Sequence, residues 1–207
     1  VAFAPGGNND VPVRIVATKL AELWGVPVTV ENRAGAGGIL GSEFVARASA
    51  DGYTLLNCNS ATHGVNPALH KKLPYDPVRQ FAAVSLIGSA PNVLIVPASS
   101  PLRSVQDFLA QARANPGKLA VGTAGIGTTQ HFSLELLKSA TGTDMVHVPY
   151  KGGSLALTDV LGGQVPAAIT GLPTALQAIR AGKVRALAVT AGNRSKHLPD
   201  LPTLNES

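Results

Sequence analysis

Short apolar runs alternate along this chain with loops of Gly, Asn, Ser and Thr, and then with stretches of helical apolar spacing. That alternation constrains the fold most, because a strand followed repeatedly by a helix builds a sheet covered by helices. Val1–Ala4 reads as the end of a buried strand, and Pro5-Gly6-Gly7-Asn8-Asn9-Asp10 turns into a helix over 13–24. Ile15, Val16, Leu20 and Leu23 carry its apolar face, and Gly25 stops it. Further strands are predicted over 26–30, 53–57, 84–87, 93–96, 118–121, 145–148, 167–170 and 186–190. Helices are predicted over 42–49, 104–114 with Ser104 as N-cap, 130–140, 154–161 and 173–181, with 64–80 irregular. The halves echo each other: Ala4 to Asp10 in one and Val121 to Thr129 in the other each run strand, polar loop, helix. Between them Pro97–Pro101 reads as a crossing point. The expectation is an α/β fold of two lobes, mainly parallel sheets flanked by helices: 1–98 the first lobe, incomplete at the chain ends, 99–200 the second, and 201–207 the start of a return segment.

Composition narrows the function. Hydrophobic residues make up 45% and charged residues 14% of 207, which suits a packed α/β protein. No apolar run approaches the ~18–20 residues that span a bilayer. The formal charge of +5 comes from scattered residues, with only Lys71 and Lys72 adjacent, and aromatics are 4%. A nucleic-acid surface would gather such charge and add stacking rings, so no nucleic-acid partner is expected. Cys58 is the single cysteine, so no disulfide forms within the chain. The chain begins at Val1 and not at Met, so an upstream segment such as a cleaved leader is expected to be missing.

Ala34-Gly35-Ala36-Gly37-Gly38-Ile39-Leu40-Gly41 lies between a predicted strand and a helix, as a dinucleotide cradle would. The spacing is off the G-x-G-x-x-G fingerprint, and no acid ends the next strand to hold a ribose. Positive φ and close helix–strand packing explain these glycines better.

More chemistry sits in three loops that leave strand ends toward helices: Pro5–Asp10, Asn57–Thr62 and Thr123–Thr129. Ligands in open α/β sheets bind at such ends, and glycine-exposed amides beside a helix N-terminus favour a carboxylate or phosphate. The candidate ligand-binding residues are Pro5, Gly6, Gly7, Asn8, Asn9, Asn59, Ser60, Thr123, Ala124, Gly125, Gly127, Thr128, His131, Tyr150 and Gly171. The amides of Gly6, Gly7, Gly125 and Gly127 are the expected anion donors, and Thr128 is expected to serve binding. The alternative is that these Asn, Ser and Thr side chains only cap helices. Asp10 reads as a first-turn stabiliser paired with Arg14. No nucleophile elbow or zinc-binding spacing occurs, so no catalytic residue, metal or cofactor is expected. The rival is a small-molecule enzyme on a similar scaffold, with His131 as its base.

The stretches "APGGNND", "VENRAGAGGILGSEFVARASADGYTLL", "NPALHKKLPYDPVRQFAAVSLI", "ANPGKLAVGTAGIGTTQH", "VHVPYKGGSLALTDVLGGQV" and "GKVRALAVT…LPDLPTL" cover nearly the whole chain in order. Together they resemble the Bug/TctC family, the extracytoplasmic receptors of tripartite tricarboxylate transporters. The resemblance implies a periplasmic, two-lobed Venus-flytrap receptor, a monomer, that captures a small carboxylate for a membrane transporter or sensor. It implies that backbone groups and waters of the 5–9 and 123–128 loops hold the carboxylate. Two departures stand out: Pro166 replaces the family's usual acid after "GGQV", and Thr170-Gly171 replaces its Asp-Asn. Both favour a plain carboxylic acid over an amino acid. Relatives also continue beyond Ser207, toward the first lobe.

Overall fold

The computed structural model describes residues 1–207. Its elements in chain order are α1 (Val11–Trp24), a 3₁₀ turn (Ala36–Gly38), α2 (Ile39–Ala46), a π turn (Ala61–Val65), α3 (Asn66–Leu69), β1 (Asn92–Pro97), α4 (Val105–Ala114), β2 (Ala120–Thr123), α5 (Thr129–Thr141), β3 (Val146–Pro149), α6 (Gly153–Leu161), β4 (Ala167–Gly171), α7 (Leu172–Arg180), β5 (Val184–Val189) and a closing 3₁₀ turn (Leu204–Glu206). No helix is long and apolar enough to cross a membrane.

The strands form one five-stranded sheet in the order β3-β2-β4-β1-β5. β2 runs parallel to β3 and β4, whereas β1 runs antiparallel to β4 and β5. The sheet is thus mixed, not mainly parallel. Local sequence gives β1 its strand character but not its direction, which follows from where the chain enters the sheet.

β1 reads Asn-Val-Leu-Ile-Val-Pro with no polar alternation, and its first five residues are buried. Both faces of the sheet are covered, so both sets of side chains are apolar. Leu94 and Val96 pack with Phe108 of α4 and Leu134 and Leu137 of α5. Val93 and Ile95 pack with Ala156 and Val160 of α6 and Leu172 and Ala175 of α7. The period of two along β1 therefore sorts its residues between two cores.

The helices follow their local signals. Ser104 caps α4 in a reciprocal capping box with Asp107. Gly25 and Gly142 end α1 and α5 in the left-handed region, at φ 68° and 61°.

The segments 1–4, 26–30, 53–57 and 84–87, expected as strands, carry no ladder. Val1 meets Glu31 and Arg33 through two main-chain hydrogen bonds and the pairing goes no further. Apolar, β-branched sequence supplies a tendency to extend, but a ladder needs a neighbouring strand. The region expected to be irregular, 64–80, instead begins with the end of the π turn and α3.

Candidate functional site

The loop before α1 is held from behind by a buried carboxylate. Asp10 is 1% exposed. Its Oδ2 accepts from the Gly6 amide and from Arg14 Nε, each at 2.8 Å, and its Oδ1 accepts from Asn32 Nδ2 at 2.8 Å. Burial works to raise its pKa, but the hydrogen bonds from Arg14, Gly6 and Asn32 outweigh it and hold the carboxyl below its usual range. The expected pairing with Arg14 is present. The Gly6 amide, expected to face an anion, is instead spent on Asp10. The amides of Gly7, Asn8 and Asn9 donate to no group of the protein.

The second loop runs into the π turn, a rare element often found at functional sites. Asn59 Oδ1 accepts from the Thr62 amide and Asn59 Nδ2 donates to Asn9 Oδ1, both at 3.1 Å. Asn57 Nδ2 donates to the Asn9 carbonyl at 2.7 Å. These bonds tie the second loop to the first. Ser60 is exposed, and its hydroxyl makes no hydrogen bond in the protein.

The third loop is self-contained. Thr123 Oγ1 accepts from the Gly125 amide at 3.2 Å and lies 2.7 Å from His147 Nε2. Thr128 Oγ1 donates to the Gly125 carbonyl at 2.6 Å and accepts from the His131 amide at 3.3 Å. The Gly127 amide donates to His131 Nδ1 at 3.2 Å. The expected anion donors Gly125 and Gly127 are therefore committed within the loop, and the Thr128 hydroxyl shapes it. The Ile126, Thr129 and Gln130 amides remain, at the start of α5, with no acceptor in the protein. Ala124 is buried beneath.

His131 stacks on His147 with ring centroids 4.3 Å apart. With Nδ1 accepting from Gly127, the His131 proton is assigned to Nε2, which lies 4.0 Å from Glu135. The Nδ1 lone pair is thus turned to the Gly127 amide. Burial first, and then the neighbouring His131, depress the His147 pKa to about 4.

The three loops and a fourth, at Tyr150–Ser154, close into a ring. Ser154 Oγ donates to the Pro5 carbonyl at 2.7 Å, and the Ala4 amide to the Lys151 carbonyl at 3.1 Å. The Tyr150 amide donates to the Thr123 carbonyl at 3.0 Å. Tyr150 OH donates to Asp159 at 2.6 Å, and burial, then Asp159, raise its pKa to about 12. Thr174 Oγ1 donates to Asn8 Oδ1 at 3.3 Å, which brings Asn8 to the Gly171 corner between β4 and α7.

Glycines let the ring close. A Cβ on Gly37 would come within 2.9 Å of the Ile126 carbonyl, and one on Gly127 within 3.3 Å of Asn66 Oδ1. Gly37 holds φ 61°. The Gly35–Gly38 stretch thus packs against the third loop, and Asn66, 1% exposed, donates from Nδ2 to the Gly37 carbonyl at 3.1 Å. Two other concavities lie away from these loops, about 600 Å³ beside α1 and about 520 Å³ around Tyr75 and Gln80. They are wide, shallow surface features without converging amides, and the ring is the better candidate.

Sequence reasoning placed Asn57 at the edge of a candidate loop without giving it a role, and missed Asn66, Ser154 and Thr174. Asn66-Pro67 carried a readable signal, since Pro suits a first helical turn. The others join elements far apart in sequence. No group of three or more His, Cys, Asp or Glu side chains is arranged to hold a metal ion.

The family model described as "Tripartite tricarboxylate transporter family receptor" (TctC) matches residues 13–207. The protein BugT of Bordetella pertussis is 41% identical over 207 residues, covering 100% of this chain and 64% of its own length. A protein encoded in the tcbD-tcbE intergenic region of Pseudomonas sp. strain P51 is 42% identical, with 100% and 61% covered. The chain thus spans a little over three fifths of the length of these curated relatives. Among solved structures, Rpa4515 of R. palustris with adipate superposes with a TM-score of 0.94 at 37% identity, covering 99% of this chain and 68% of that one. MatC from Rhodopseudomonas palustris with bound malate gives 0.90 at 34%, covering 99% and 69%. The periplasmic binding protein BugD gives 0.87 at 34%, covering 99% and 68%.

Proposed function

Because the chain belongs to the tripartite tricarboxylate transporter receptor family, we propose that it is a periplasmic solute-binding protein. It captures a small carboxylate and presents it to a membrane transporter or sensor. The ligand sits within the ring of loops, and the free amides of Gly7–Asn9 and of Ile126, Thr129 and Gln130 receive it. The observation that carries the reading is this convergence: two loops at helix starts, each with unpaired N–H groups, meet without a competing side-chain cation in either loop. Such groups favour negative charge by geometry and by dipole. The adipate and malate in the solved relatives support a dicarboxylate. The first 91 residues act as one lobe, and the part that begins at β1 acts as the other, because β1 belongs to the five-stranded sheet and so not to a lobe of 1–98. The ligand stabilises their closed arrangement. The protein works as a monomer, without catalysis or cofactor.

Titration calorimetry with malate, adipate and the half-amide of adipate tests this. At least one dicarboxylate should bind with one-to-one stoichiometry, and the half-amide about tenfold or more weaker, because an amide N–H₂ would face donors. Silence toward mono-, di- and tricarboxylates alike, or consumption of the added acid, would overturn the reading.

A further inference from the structure

Gly171 sits at φ −68° and ψ 139°, an extended conformation open to any residue. The backbone therefore does not call for glycine. Space does: a Cβ built at 171 would overlap Nδ2, Cγ and Oδ1 of Asn8. The Asn8 amide fills the volume that a side chain at 171 would take. Its Oδ1 accepts from Thr174 Oγ1 in the first turn of α7. Just ahead of Asn8 the same loop is pinned twice, by Ala4 to Lys151 and by Pro5 to Ser154. Asn8 is thus seated in a socket on the far part of the chain, and its Nδ2 donates to nothing in the protein.

We infer that Asn8, held in the Gly171 socket, is a specificity-determining residue that demands an oxygen acceptor on the ligand and rejects an ammonium group. The inference deepens the carboxylate reading above and rests on it. Thr174 takes one of the two lone pairs of Oδ1 while both Nδ2 hydrogens stay unpaired, so what the amide chiefly offers the ligand is N–H donors. A carboxylate or hydroxyl oxygen satisfies them, whereas an ammonium has only donors of its own. Nearby acids do not compensate. Asp10 is fully engaged by Gly6, Arg14 and Asn32, and Asp159 accepts from Tyr150.

Two sets of measurements test this, the first without any ligand. Gly171→Ala should lower the melting temperature by about 5 °C or more, through the clash of Cβ with Asn8. Asn8→Gly should cost less, and the double variant should melt close to Asn8→Gly alone, because the clash is gone. Additive losses, or a harmless Gly171→Ala, would show that no socket exists. The second set titrates malate, adipate and L-aspartate. The unaltered chain should prefer a dicarboxylate over L-aspartate by about tenfold or more. Asn8→Asp, which turns donors into a charged acceptor, should weaken the dicarboxylate at least tenfold and narrow or reverse that preference. An Asn8→Asp variant that keeps the original preference overturns the selectivity. If the unaltered chain binds none of the acids, the carboxylate reading fails, while the melting cycle still decides the socket.

Discussion

Asp10 shows how a single side chain can set the path of a loop from behind. Its two oxygens gather a glycine amide, a guanidinium and an asparagine amide, and so fix the path of residues 6–10. Replacing it with Ala would leave the Gly6 amide without its acceptor, and Asn32 with only the Phe3 carbonyl, in a nearly buried place. Losing charge-assisted hydrogen bonds of this kind is destabilising, and a drop of about 5 °C or more in melting temperature is expected for Asp10→Ala. Affinity for the acid should fall too, because the free amides of Gly7–Asn9 lose their frame. A variant that melts and binds like the parent would show that the loop holds itself. Thr128 works in the same way in the third loop: its hydroxyl donates once and accepts once within the loop, leaving a shaping role.

At the scale of elements, α5 is joined to β3 by the stacked rings of His131 and His147. His147 is faced by Thr123 of β2 and by His131, Glu135 and Lys138 of α5. Its pKa is about 4 in the folded protein against an ordinary 6.5. Between those values the unfolded chain binds more protons, so stability rises with pH across the window. Acidification from about 6.5 toward about 4 should therefore weaken the fold through this residue. His147→Gln, which keeps a polar group without titrating, should flatten that part of the pH–melting curve. An unchanged slope would mean that other groups carry the dependence. Because Thr123 Oγ1 contacts His147 and orders the Gly125 amide, the third loop should loosen over the same range.

Across the whole molecule, order is unevenly supported. The two large cores, of 14 and 10 buried residues, both lie in the part that begins at β1, whereas the first 91 residues hold only a cluster of three, Ala2, Phe3 and Ala61. Leu23 at 78%, Tyr53 at 93% and Leu86 at 84% exposure show how little of the first part is covered. For these 207 residues, amide exchange should therefore be slowest in β1, β2 and β4 and faster over 1–91, and an added dicarboxylate should slow it around 5–10 and 57–66. Uniform protection along the chain would contradict this distribution. Much of the architecture was legible because its signals are local. Gly25 ends α1, Ser104 caps α4, and the polar loops at Pro5, Asn57 and Thr123 can be read from residue types whose preferences act within a turn. So was the role of the Ala34–Gly41 glycines, since positive φ and tight packing belong to glycine itself. What tertiary structure alone decided involves partners far apart in the chain: the antiparallel entry of β1, the missing ladders at 26–30 and 53–57, and the ties of Asn57 to Asn9, Ser154 to Pro5 and Thr174 to Asn8. The capture of the Gly6, Gly125 and Gly127 amides by Asp10, Thr123 and His131 is local in sequence, yet it too turns on the folded path of each loop. A sequence states which amides a loop exposes. Only the folded chain determines which of them another residue has already taken, because a hydrogen bond depends on the direction and distance of both partners.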